Sequence, residues 1–419
     1  MLNTSDCRGG AAVAASRIKE ALIRSGVDVK MVVRDKASDD PDVVSIAGTR
    51  GKRLVNRFWF LWERFVIWTH NGFSRKKLFA VSTAGTGADL SGIPEVRQAD
   101  VIHLHWINQG MLSLKGLQKL GALGKPVVWT LHDMWPITGI CHHAWACDRH
   151  QSGCGQCPFL GSGRNRDLSN RVFNRKKRLY STAPTFVPVS RWLQEKCKES
   201  ALGRIVPTLV IPNAIDTERF SPGDREAARN RLGIPSGKKV IAMGAARIDD
   251  PVKGFGLLKE ALLHIPENQR ESILLYLFGR IKDPAVLSGD MPVTVLHGGA
   301  VGDPETLTDI YQAADVTVSP SHYETFGQTL SEAMACGCPA VSFGNSGQRD
   351  IIDHRENGWL ARYPDPQDFA RGIEWVLGHP DYAQLAKNAR EKIVSSFRIE
   401  KVAGQYLDLY RSLLSAAKP

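Results

Sequence analysis

The chain has 419 residues, with 54 Lys and Arg against 43 Asp and Glu, a formal net charge of +11. Its 43% hydrophobic and 23% charged residues exclude a disordered chain, and its length excludes a disulfide-stapled miniprotein and allows two or three domain cores. The longest apolar stretch near the N-terminus, 58–68, is broken by Glu63-Arg64 and falls short of the ~20 residues a spanning helix needs.

No apolar leader follows Met1, so a cytoplasmic protein with reduced cysteines is expected. The positive balance suits phosphate-bearing ligands, nucleic acid or an anionic membrane surface. Short apolar runs alternate with helical patterns, which predicts α/β units with parallel sheets. Gly9-Gly10 opens a helical pattern over 11–25, yet only Met1-Leu2 precede the polar 3–6. The first strand therefore reads as largely missing, and a start placed too late is the favoured explanation. Strands are then expected at 27–33, 100–105, 126–131, 185–189 and 208–211, the size of one doubly wound sheet.

Two segments of this first half stand apart. Residues 50–77 hold eight basic residues against one acid, interleaved with Phe58, Trp59, Phe60, Trp62, Phe65, Trp68 and Phe73. Such a helix fits a membrane interface or covers the domain's core; the basic run 164–178 extends the same face or is solvated. Cys141, Cys147, Cys154 and Cys157 fall within seventeen residues, with His142, His143 and His150 among them. They read either as a structural zinc site or as free thiols, bridged only on oxidation.

The Pro-, Asn- and Gly-rich stretch 211–224 reads as a linker, with a domain boundary near 216–235. Beyond it, strands at 239–244, 273–279, 293–296, 316–319 and 339–343 form a second sheet. Two such domains make a cleft, the default ligand site. In 319–339 a strand leads through a short loop into a helix starting near Phe326-Gly327. Free N–H groups and the helix dipole there favour an anion. Glu324 lies at the loop's mouth and Glu332 two turns on, so the pair can serve one elongated ligand; alone, it would read as a solvated helix. Arg247 and Lys253 follow the strand 240–244, at the end where open α/β sheets bind ligands, and two cations suit a diphosphate.

The set Arg247, Lys253, Pro320-Ser321, Glu324-Thr325-Phe326-Gly327 and Glu332 resembles the donor site of the family 4 retaining glycosyltransferases of the GT-B fold. The likeness runs over nearly the whole chain, including Gly9-Gly10, His132-Asp133, Pro212-Asn213 and a last helix near 399–414. His103-Leu-His-Trp106, the stretch from Trp129 to Trp135 and Cys154-Gly-Gln-Cys157 resemble bacterial exopolysaccharide enzymes, including those of colanic acid type. The resemblance implies an α/β chain of two Rossmann-like doubly wound domains: 1–215 acceptor-binding, with the Cys-rich insert 141–157; 216–398 donor-binding; and 399–419 crossing back to the first.

It further implies a nucleotide-sugar-dependent, retaining hexosyltransferase using a UDP- or GDP-sugar and a glycan or polyprenyl-diphosphate-linked acceptor. Arg247 and Lys253 would hold the diphosphate, Glu324 the sugar hydroxyls, Glu332 the ribose, and His132 the donor sugar. The N–H groups of Phe326 and Gly327, beside Thr325, would meet sugar or phosphate oxygens, and Gly9-Gly10 the phosphates. No Asp-x-Asp stands in a suitable place, so no catalytic metal is expected, and no nucleic-acid motif is found. Residence at the inner face of the cytoplasmic membrane fits such an acceptor. The alternatives are a non-catalytic nucleotide- or nucleic-acid-binding protein and a degenerate transferase scaffold, the latter suggested by the short first strand.

Overall fold

The computed structural model describes residues 1–180, 184–287 and 291–416. The first sheet comprises β1 (Leu2–Ser5), β2 (Met31–Asp35), β3 (Val43–Ser45), β4 (Ile102–Leu104), β5 (Val127–Leu131) and β6 (Thr185–Pro188), in the order β3-β2-β1-β4-β5-β6. The second comprises β7 (Lys239–Arg247), β8 (Ile273–Arg280), β9 (Thr294–His297), β10 (Val316–Ser319), β11 (Ala340–Phe343) and β12 (Gly358–Ala361), in the order β12-β11-β10-β7-β8-β9. All their pairings are parallel. Each sheet therefore has one switch point, between β1 and β4 and between β7 and β10. Ligands of doubly wound sheets bind at the strand ends there.

Central parallel strands are covered on both faces and need no polar alternation. Val316-Thr-Val-Ser319 and Ala340-Val-Ser-Phe343 are buried throughout. Their Val316, Val318, Val341 and Phe343 pack into one core with Leu258, Leu262 and Phe369 from the covering helices.

The first strand corrects the expectation that it is largely missing. Leu2-Asn-Thr-Ser5 is buried throughout and pairs with β2, Leu2 opposite Val32 and Ser5 opposite Asp35, while Leu2 also faces Leu104 of β4. Its polar composition hid it. Asn3 Oδ1 accepts from the Trp106 amide at 2.9 Å, and Thr4 Oγ1 donates to the carbonyls of Trp106 and Asn108 at 2.8 and 3.1 Å. These bonds offset the cost of burying polar groups. The expected strand at 208–211, flanked by Pro207 and Pro212, is reduced to one bridge between Thr208 and Phe186, with the Leu209 and Ile211 amides donating to the Phe186 and Pro188 carbonyls at 3.0 and 3.3 Å.

Four helices matter below: α1 (Gly10–Arg24), α2 (Arg50–His70), α3 (Gln328–Ala335) and α4 (Ile399–Ala416). Two compact units result, Met1–Pro212 with Val402–Pro419, and Asn213–Lys401. Within the first, α4 bonds to the sheet through Tyr406, whose hydroxyl lies 2.7 Å from Thr130 Oγ1.

Candidate active site

In the second unit the connections leaving β7 and β10 flank the switch point. Gly254, at φ +67°, allows them to meet, since a Cβ there would stand 2.1 Å from the Pro320 carbonyl oxygen. The His322 amide donates to the Val252 carbonyl at 2.8 Å, closing the contact. Lys253 is thereby placed beside Glu324, Nζ donating to Oε1 at 2.6 Å, and Ser321 Oγ donates to the same oxygen at 2.9 Å. The Glu324 backbone is braced as well: its amide donates to Ser346 Oγ at 3.1 Å and its carbonyl accepts from the Gly347 amide at 2.8 Å. Gly347 is required there because a Cβ would stand 2.2 Å from the Thr325 oxygen.

Behind Glu324, Phe326 is buried edge-on against Phe397, with ring centroids 5.4 Å apart. Gly327, at φ +113°, is the N-cap residue of α3 and brings no side chain to cap it. Its first amides therefore face away from any internal acceptor on their own helix, the arrangement that receives anions. Arg247 ends β7 but turns toward Asp250 and Asp249, at 3.3 and 3.6 Å, with its side chain about half exposed. Glu332 is buried, and its Oε2 accepts from the Tyr311 hydroxyl at 2.8 Å. The structure thus joins Lys253 to Glu324, whereas Arg247 and Glu332 have partners of their own.

In the first unit, β1 runs into the loop carrying Gly9-Gly10, and α1 begins there without a side-chain cap. A pocket of about 320 Å³ lies at this strand end, lined by Asn3, Ser5, Gly9, Arg34 and Trp106 among others. His132, after β5, places Nε2 3.0 Å from His105 Nδ1, and the two rings are nearly parallel. The His103 ring lies against His105, tilted by 32° with centroids 4.2 Å apart, and its nitrogens lie 2.6 Å from the Tyr410 hydroxyl and 2.7 Å from Thr130 Oγ1. Burial holds His103 and His105 well below the ordinary imidazole range and His132 down at about 4, so all three are neutral at pH 7. Asp133 behaves oppositely. Burial opposes its charge, but His142, His143 and the Trp135 amide hold its carboxyl down at about 2.

The four cysteines of the zinc expectation lie in one neighbourhood, where Cys154, Cys157 and Cys147 each add to the effect of burial in raising the Cys141 thiol. Cys141, Cys154 and Cys157 are buried, Cys147 is half-buried, and all four are free thiols. Among the described residues no group of three or more His, Cys, Asp or Glu is arranged to hold a metal ion. Hydrogen bonds hold the thiol-rich loop. Cys154 Sγ accepts from the Gly139 amide at 3.1 Å, and the Cys157 amide donates to Asp167 Oδ2 at 2.8 Å.

Sequence reasoning missed Ser346 and Gly347 as supports of Glu324, placed Ser321 in the donor set without that role, and missed His105 as the partner of His132. Ser346 follows β11, so the strand-end rule that found Arg247 applies to it too. His105 lay in a quoted motif without a role.

Two doubly wound parallel sheets, one in each compact unit, are the fold shared by the GT-B glycosyltransferases. Residues 8–219 match the family described as Glycosyltransferase Family 4, and residues 224–392 match Glycosyl transferases group 1. The chain belongs to glycosyltransferase family 4. It is 26% identical over 383 residues to the D-inositol 3-phosphate glycosyltransferase of Geodermatophilus obscurus, covering 88% of this chain and 78% of that one. Among solved structures, it is similar to sucrose-phosphate synthase from Thermosynechococcus elongatus, with TM-score 0.65, 22% identity and coverage of 99% and 96%. It is also similar to Anabaena HepE in complex with UDP-glucose, with TM-score 0.62, 17% identity and coverage of 98% of both chains.

Proposed function

We propose that this glycosyltransferase moves a hexose from a UDP- or GDP-sugar to a glycan or polyprenyl-diphosphate-linked glycan, with retention, in bacterial exopolysaccharide synthesis at the inner face of the cytoplasmic membrane. The single observation that carries the donor reading is the Lys253–Glu324 pair, 2.6 Å apart, immediately ahead of the uncapped start of α3. A sugar diphosphate has an anionic and a hydroxyl-rich end, and this juxtaposition offers one group for each. The Anabaena neighbour's complex with UDP-glucose and the relative's name as a D-inositol 3-phosphate glycosyltransferase support a nucleotide-sugar donor and a polar acceptor.

In this reading the second unit binds the donor. Arg247, Lys253 and the amides at Phe326 and Gly327 stabilise charge growing on the leaving diphosphate, without a metal. Glu324 accepts from sugar hydroxyls beside the reacting carbon, where an oxocarbenium-like state develops. Thr325 belongs to the same donor loop, and Glu332 takes the ribose by exchanging its bond with Tyr311. The first unit serves the acceptor, Gly9-Gly10 meets phosphate oxygens, and the neutral His132 meets a sugar hydroxyl. The degenerate-scaffold alternative loses its support, since a strand at Leu2–Ser5 occupies the position it required to be missing.

The test is a panel of UDP- and GDP-sugars read first by thermal shift, then by acceptor-dependent release of nucleoside diphosphate. A bound donor should raise Tm, because it stabilises the native state alone. The product's anomeric configuration by NMR should match the donor's. An absence of both shift and release across the panel overturns the donor assignment, and an inverted product overturns retention.

A further inference from the structure

Helix α2 turns its polar side inward. Its buried residues are Asn56, Glu63, Arg64 and Ile67. Glu63 Oε1 accepts from the amides of Thr83 and Ala84 at 2.7 and 2.9 Å, while Oε2 accepts from Arg64 at 2.8 Å. Arg64 also donates to the Val81 carbonyl at 3.2 Å. The helix is thus anchored to the first unit by a buried ion pair and backbone hydrogen bonds.

The opposite side is apolar and open to solvent. Leu54, Phe58, Leu61, Trp62 and Phe65 are exposed by 67, 54, 52, 45 and 49%. Positions 54, 58, 61 and 65 repeat as i, i+4, i+7 and i+11, a single stripe along the helix. The rings touch in series: Phe58–Trp62 at 6.0 Å, Trp62–Phe65 at 5.7 Å, Phe65–Trp68 at 6.0 Å and Trp68–Phe73 at 4.9 Å. A helix covering a core would point this stripe inward, but that side is already occupied by Glu63 and Arg64.

Charge identifies the occupant. Lys52, Arg53 and Arg57 at one end of the stripe, and Arg75, Lys76 and Lys77 beyond the other, are all exposed. Glu63, the only acid between 50 and 77, is buried. Beside the stripe, a groove of about 350 Å³ is lined by Trp62, Val66 and His70 together with Arg171 and Arg175. An aromatic face flanked by exposed cations at both ends matches a lipid interface, with rings at the headgroup level and cations reaching phosphates. A second copy would bring two cationic rims together. No helix among the described residues is long and apolar enough to cross a membrane.

We propose that α2 and the turn through Phe73 dock this protein on an anionic phospholipid surface, with the helix lying in the plane of the interface. This deepens the membrane reading above and rests on it for its purpose. Vesicle binding is measured without donor or acceptor, so a failure here leaves transfer untouched, and a failure of transfer leaves lipid binding untouched.

The experiment is co-sedimentation of the full chain with phosphatidylglycerol or phosphatidylcholine vesicles, at low salt and at about 0.5 M salt. Partitioning to phosphatidylglycerol should be stronger by about tenfold or more and should weaken with salt. The double variant Phe58→Ser/Phe65→Ser should lose about tenfold or more of that binding. It should also keep the wild-type melting temperature, because both rings are exposed. Equal binding of variant and wild type, or no preference for anionic vesicles, overturns the proposal. A dimer broken by the same variant, with no vesicle binding, assigns the face to a second copy instead.

Discussion

In the second unit, the pair ahead of α3 is ionic, with the Lys253 and Glu324 side chains 29% and 18% exposed. In the first, the rings of His103 within β4 and of His105 and His132 just after β4 and β5 are kept neutral by burial. Both clusters lie at strand ends of the same kind of sheet, yet one retains charge and the other suppresses it. The difference follows from water access. A charge that keeps some hydration costs little and can neutralise a diphosphate, whereas a buried imidazole is cheaper neutral and can only exchange hydrogen bonds.

The largest effect should come from the ionic cluster. Glu324→Gln removes the carboxylate that the proposed function assigns to the sugar while keeping the side chain's shape, and turnover should fall at least ~100-fold, the usual cost of one transition-state contact. Steady-state release of nucleoside diphosphate measures it. Near-wild-type turnover would remove Glu324 from the chemistry and break the contrast on its charged side.

Lys253→Ala should raise the donor KM by about ten- to hundredfold, as expected for losing a charged hydrogen bond to phosphate. Lys253→Arg should recover part of this, since charge returns but the compact point contact does not. An unchanged KM would mean that Lys253 only orients Glu324.

The charged cluster was legible in the sequence because its residues follow strands and precede a helix, positions that a doubly wound sheet assigns a role. Its supports were not, because Ser321 and Ser346 act through the folded position of a loop rather than through spacing. In the first unit, β1 was obscured by Asn3 and Thr4, whose burial depends on partners about a hundred residues away. Helix periodicity has the same limit. α1 buries Ala12, Ala15, Ile18 and Leu22, as its pattern suggests, whereas α2 shows an equally clear stripe and turns it outward. Periodicity identifies the stripe; only the contacts of Glu63 with Thr83 and Ala84 decide which way it faces.

The neutral cluster is sharpened by acid. An unfolded histidine takes up its proton near 6.5, while folded His132 resists until about 4. Stability attached to the histidines is therefore complete above pH 6.5 and is lost as pH falls from 6.5 toward 4. Each contributes a slope of up to ~1.4 kcal/mol per pH unit. Asp133 titrates below this window, at about 2, and Lys176, which burial lowers to about 7, lies above it. Thermal melts between pH 4.5 and 7.5 should show the loss, and His105→Gln should flatten the slope by about one proton. An unchanged slope in that variant would show that His105 titrates normally and is not part of a neutral column.

The smallest effect should come from the helix that closes this column. The Tyr406 hydroxyl and His103 Nε2 both lie 2.7 Å from Thr130 Oγ1. Tyr406→Phe keeps the buried ring and removes one of these bonds, while Thr130 retains His103. The expected loss is about 1 kcal/mol, read from urea unfolding with an unchanged m-value. A buried hydroxyl left with no partner would cost more, so the size of the loss measures whether His103 can serve Thr130 alone. A loss beyond ~3 kcal/mol would mean that Tyr406, Thr130 and His103 stand or fall together, which the double variant with His103→Gln would report as strong coupling. The first unit would then hold its polar cluster as a single cooperative network.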